Sequence, residues 1–176
     1  MIFPNEEEFK RHDSQRGWFA YELYMQMILD EDIWLICLDL GYKVFDWHFK
    51  YFPERCINPG AAEQAGMGIA VGLALEGKKP FIYSITPFLL YRAFETIRNY
   101  VSHEKISVRL IGSGRDQDYA HDGFSHYAGD DFNLFDIEHG AMFPNIKASW
   151  PETKEEIPGL VDQMVKENKP WYLNLR

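Results

Sequence analysis

Residues 33–38 (IWLICL) and 55–77 (RCINPGAAEQAGMGIAVGLALEG) decide the fold. The first is a continuous apolar run of strand length, the pattern of a strand buried on both faces. The second opens on a short strand, Arg55-Cys56-Ile57-Asn58, and breaks at Pro59-Gly60. It continues over 61–76 as a helix of small residues with Gly77 as its C-cap. The glycines and alanines of that helix predict close packing against a neighbouring element. Upstream, Ser14 is placed to cap a helix running to about Asp30, with Phe19, Leu23, Met27 and Ile28 on its apolar face. Downstream, 80–85, 108–111, 146–149 and 171–175 read as strands, and 88–101 and 153–168 as helices. This alternation predicts an α/β fold in three layers, α/β/α, with a mostly parallel sheet of about six strands and helices on both faces.

A chain of 176 residues is expected to form one domain, 1–176. Basic residues number 18 and acidic residues 27, a net charge of −9. Such a surface repels phosphate backbones and anionic lipid, which argues against nucleic acid and membranes as partners. No apolar run approaches the ~18 residues of a membrane span. The opening MIFPNEEEFKRHD is charged where a signal peptide would be apolar, so the cytoplasm is the expected location. Cys37 and Cys56 fit neither CxxC nor zinc spacing and read as buried free thiols.

In such sheets ligands bind beyond the carboxyl ends of the strands, which directs attention to the loops after Leu38, Asn58, Ile85 and Ile111. The last of these, 112–131 (GSGRDQDYAHDGFSHYAGDD), is long, polar and glycine-rich, the profile of a functional loop. Familiar motifs fail here. Gly66-Met67-Gly68 lies inside a helix with Val71 where a dinucleotide fingerprint needs glycine. Residues 72–79 (GLALEGKK) carry Lys79 where a P-loop needs Ser or Thr. Asp116, Asp118 and Asp122 lack the closing glutamate of a calcium loop. His121 and His126 have neither metal-ligand spacing nor a nucleophile elbow beside them. Glu63 has two readings: a carboxylate favoured by a helix dipole, or a buried acid that shares a proton with a heterocycle nitrogen.

Taken in order, these segments resemble a known domain. Residues 55–74 are similar to the glutamate motif of the pyrimidine-binding domain of transketolase-like, thiamine diphosphate-dependent enzymes. Residues 80–88 (PFIYSITPF) and 92–98 (RAFETIR) resemble that family's next strand and helix. Asp122-Gly-Phe-Ser-His126 resembles its Asp-Gly-x-Thr-His motif with serine for threonine, and 143–146 (FPNI) and 170–175 (PWYLNL) also match. The resemblance implies that Glu63 hydrogen-bonds ring nitrogen N1′ of the cofactor's aminopyrimidine and that His126 contacts substrate near the reacting carbon. It implies an aromatic stacked on the aminopyrimidine, with Phe88, Tyr91 and Tyr83 as candidates, and places Asp39 near the cofactor. Arg115, His121 and Tyr127 are positioned to face a substrate.

The family holds the diphosphate and Mg2+ through a Gly-Asp-Gly domain, and no Gly-Asp-Gly string occurs here. The resemblance therefore implies a pyrimidine-binding subunit of a split enzyme, active only with a diphosphate-binding partner and self-associating into a dimer or heterotetramer. Thiamine diphosphate would be shared at the interface, Mg2+ bound through the partner, with no metal ligand assigned to this chain. The substrate would be a small keto compound and the reaction ketol transfer or related C–C chemistry. A split 2-keto acid decarboxylase and a noncatalytic structural or regulatory homologue are the alternatives.

Overall fold

The computed structural model describes residues 11–176, so most of the charged opening segment lies outside the described residues. The chain runs α1 (Gln15–Leu29), β1 (Ile33–Cys37), α2 (Asp46–Tyr51), β2 (Cys56–Ile57), α3 (Glu63–Leu75) and β3 (Lys79–Ile85). It continues with α4 (Thr86–Arg92), α5 (Phe94–Thr96), a π-helical turn (Ile97–His103) and β4 (Arg109–Ser113). After a long loop come β5 (Lys147–Ser149), α6 (Ile157–Lys166) and β6 (Trp171–Leu175).

The six strands form one parallel sheet in the order β2-β1-β3-β4-β6-β5. Successive side chains leave opposite faces of a strand. Accordingly Ile33, Leu35 and Cys37 pack with Phe81, Tyr83, Ile111, Trp171 and Leu173 against α1 and α6. Ile36, Ile82, Leu110 and Tyr172 pack against α3, α4 and the π-helical turn on the other face. This is the expected three-layer α/β/α arrangement, and it explains the unbroken apolar runs: both faces are covered.

Helix ends follow ordinary capping chemistry. The Ser14 hydroxyl accepts from the Gly17 N–H at 3.1 Å and starts α1. Two buried arginines satisfy helix C-terminal carbonyls. Arg55 donates to the Met27 and Asp30 carbonyls at the end of α1, and Arg109 to the Met164 and Glu167 carbonyls at the end of α6. Thr153 and Glu156 form a capping box ahead of α6.

The structure departs from the sequence expectations in three places. The helix expected over 88–101 starts at Thr86 and breaks at Ala93, whose φ of −108° and ψ of 18° leave the α region before the chain resumes and widens into the π-helical turn. Short α2 is an addition to the expected elements. In α3, only Gly66 is needed for close packing, because an added Cβ there would come 2.4 Å from Leu38 Cδ2. Gly68 and Gly72 are exposed with open space where a Cβ would point.

Candidate active site

The chain passes from β1 out to β2 and then back across β1 to β3, so the strand order reverses between β1 and β3. The carboxyl ends there open a crevice, the usual ligand position of such sheets. Loop 38–45 leaves β1 on one side, and α4 leaves β3 directly on the other, with Pro87 in its first turn.

Glu63 is the first residue of α3, and its side chain is only 5% exposed. Gln64 Nε2 donates to Thr96 Oγ1 at 2.5 Å, tying this first turn to α5. Arg92, the last residue of α4, donates from Nη1 to Glu63 Oε1 at 2.7 Å. The Arg92 guanidinium carbon lies 3.7 Å from the centroid of the Phe88 ring, one helical turn earlier on α4. Phe88 in turn meets His126 edge-on, with ring centroids 4.8 Å apart. Glu63, Arg92, Phe88 and His126 thus form one continuous group drawn from three separate segments. A flat nitrogen-bearing group fits against Glu63 and Phe88 together, since the Arg92 guanidinium does so.

His126 is presented by the 112–131 loop. Gly123, at φ 91°, supplies a backbone conformation that a side chain would disfavour, and the turn Phe124–His126 follows it. The Ser125 hydroxyl lies 3.0 Å from His126 Nδ1. A bridge between Asp116 and Ala128 closes the loop at its base. Below it, Asp131 Oδ2 accepts from Tyr172 Oη (2.6 Å), Asn174 Nδ2 (2.6 Å) and Trp150 Nε1 (2.9 Å), anchoring the loop's end to β6.

Residues 17–176 match the family described as transketolase, pyrimidine binding domain. The chain belongs to that family. It is 32% identical over 126 residues to a subunit of apulose-4-phosphate transketolase from Actinobacillus succinogenes, covering 72% of this chain and 39% of that protein. It is 34% identical over 155 residues to 1-deoxy-D-xylulose-5-phosphate synthase of Listeria monocytogenes, covering 87% of this chain and 24% of that protein. Among solved structures it resembles a split gene transketolase described as an inactive beta4 tetramer, with a TM-score of 0.79 and 29% identity, covering 93% of this chain and 51% of that one. The chain therefore spans well under two thirds of the length of each of these relatives.

The other residues expected at the site of this pyrimidine-binding domain have neighbours of their own. Tyr91 faces Asp130 and Asp131, and partial burial, then those carboxylates, push its phenol well above the ordinary range. Tyr83 is buried against Phe45, with centroids 4.8 Å apart. Asp39 is exposed and left-handed at φ 52°, its N–H donating to Asn58 Oδ1, and it lines a cleft of about 430 Å³ with Leu40, Tyr42 and Asn58. His121 is exposed beside Asp122, and Arg115 is buried 3.7 Å from Glu152. Tyr127 is half-buried and stacks near Phe124. Among the described residues no group of three or more His, Cys, Asp or Glu is placed to hold a metal ion, and no helix is long and apolar enough to cross a membrane.

The pyrimidine-binding domain also has polar groups that sequence reasoning missed. Arg16 and Lys43 line a cavity of about 490 Å³ beside β1 and β3, together with Tyr83, Tyr119 and Asp122. Arg16 donates to Tyr119 Oη and reaches Ser113 Oγ at 3.5 Å. Its signal in the sequence was a basic residue in the first turn of a helix, where the dipole disfavours positive charge. Arg92 carried no such signal, since its partner lies 29 residues away.

Proposed function

We propose that this chain is the pyrimidine-binding subunit of a split transketolase-like enzyme, activating thiamine diphosphate for ketol transfer or related carbon–carbon bond chemistry with a diphosphate-binding partner. The observation that carries this reading is a buried carboxylate, Glu63, beside an aromatic face, Phe88, with His126 against that ring at the β1–β3 crevice. Relatives named as one subunit of a transketolase and as a split gene transketolase add support for a two-chain enzyme.

When bound, thiamine diphosphate supplies a nucleophilic thiazolium carbon and an electron sink for the adjacent carbonyl. Glu63 holds the proton shared with ring nitrogen N1′ of the aminopyrimidine, and its burial keeps water from competing for that hydrogen bond. Phe88 offers the stacking face, and Tyr91 and Tyr83 are the other aromatics at hand. His126 contacts the substrate close to the reacting carbon and is a second group able to move a proton there. Asp39 approaches the cofactor from the β1 loop. The diphosphate and Mg2+ are held by the partner's Gly-Asp-Gly domain. The assembled enzyme self-associates into a dimer or heterotetramer and works in the cytoplasm on a small keto substrate.

The test is reconstitution with the Gly-Asp-Gly partner and assay of ketoses and 2-keto acids as donors. Thiamine-dependent C–C chemistry that disappears in Glu63→Ala is expected. Full activity in that variant would overturn the role of Glu63.

A further inference from the structure

We infer that Arg92 is an internal competitor for the aminopyrimidine ring, holding its place against Glu63 and Phe88 and leaving when the ring binds. This rests on the proposed function, which gives the ring two contacts: a hydrogen bond to Glu63 and a stack on Phe88. Arg92 makes both, with Nη1 2.7 Å from Glu63 Oε1 and its guanidinium carbon 3.7 Å from the Phe88 centroid.

The likeness is chemical as well as positional. A guanidinium is flat, cationic and carries N–H donors in its plane, as a protonated aminopyrimidine does. The side chains differ sharply in freedom. Glu63 is 5% exposed, whereas Arg92 is 48% exposed, so its long stem can swing into water while the carboxylate stays fixed. Because a buried carboxylate without a partner is strongly disfavoured, Arg92 keeps Glu63 paired whenever the ring is elsewhere. Phe88 and Arg92 stand one turn apart on α4, so the guanidinium returns to the same face on release. His126 packs against the same Phe88 ring at an interplanar angle of 66°. The ring's apparent affinity is then reduced by the fraction of molecules in which Arg92 is in place.

The test uses the full chain alone with thiamine as the probe, which carries the aminopyrimidine but no diphosphate. Binding is followed by ligand-observed NMR, and the melting temperature is measured for the wild type, Arg92→Gln, Arg92→Lys and Glu63→Gln. Arg92→Gln is expected to bind thiamine about tenfold more tightly, as for a competitor in place roughly nine-tenths of the time. Its free chain is expected to melt at a lower temperature. Arg92→Lys is expected between the two, because an ammonium keeps the charge without lying flat on the ring, and it carries the comparison should Arg92→Gln fail to fold. Binding by Arg92→Gln that is equal to or weaker than the wild type overturns the competitor role, while loss of binding in Glu63→Gln still upholds the reading of Glu63. No binding of thiamine by the wild type and both Arg92 variants overturns the competitor role. The reading of Glu63 is decided separately on the pair assembled with the diphosphate-binding partner, where equal thiamine diphosphate affinity with and without Glu63→Gln would overturn it.

Discussion

A Cβ on Gly66 would lie 2.4 Å from Cδ2 of Leu38, so α3 rests directly on the end of β1. That contact sets the height of the α3 first turn and therefore of Glu63 at the sheet edge. Gly66→Ala forces the Leu38 side chain aside and is expected to destabilise the chain by about 1–3 kcal/mol. Gly68→Ala and Gly72→Ala meet open space and are expected to stabilise the free chain by up to ~1 kcal/mol each through helix propensity. Urea midpoints at constant m-value measure all three. The opposite order would mean that Leu38 does not set the packing.

Asp131 is the knot beneath the long loop. Its Oδ2 accepts from Tyr172, Asn174 and Trp150, all at 2.6–2.9 Å. Asp131→Ala leaves the buried Tyr172 and Asn174 donors and the half-buried Trp150 N–H without this acceptor and is expected to lose about 3 kcal/mol or more. The segment carrying His126 should become the first site of limited proteolysis, and cleavage elsewhere would separate the knot from the loop.

His48 makes stability depend on pH. It is buried between Tyr24 and Phe45, and burial pushes its imidazole down to about 3. The unfolded chain takes up this proton near pH ~6.5, whereas the native chain does so only near the lower value. Its contribution is therefore complete above about 6.5 and is lost as pH falls, at up to ~1.4 kcal/mol per pH unit. His48→Phe should flatten the fall of the urea midpoint between about pH 7 and 5. An equal fall in both proteins would place the pH dependence elsewhere.

Cys37 and Cys56 are buried free thiols, and burial raises both to about 12. Neither is expected to react with a thiol reagent in the native chain, and both should react on unfolding. Rapid labelling under native conditions would contradict their burial.

The strands were legible because residues buried on both sheet faces must be apolar, as Ile33, Leu35, Ile36 and Cys37 are. Ser14 announced α1 through a cap that its hydroxyl does make. The break at Ala93 was hidden, since neither glycine nor proline marks it. α2 was hidden because its six residues owe their place to Phe45 and His48 packing rather than to helical periodicity. Glu63 stood out by its chemistry among small residues. The choice among Phe88, Tyr91 and Tyr83 stayed open because it turns on which way each ring leaves its element. Arg92 was invisible as a site residue for the same reason: only the packing of α3 on α4 brings it to Glu63.

The most direct measurement is a calorimetric titration of thiamine diphosphate and Mg2+ into the chain assembled with its diphosphate-binding partner, set against the same pair carrying Glu63→Gln. Saturable binding by the first, weakened roughly tenfold or more in the second for loss of a buried charged hydrogen bond, is the expected result. Equal affinity in the two pairs, or no binding by either, would contradict a pyrimidine site built on Glu63.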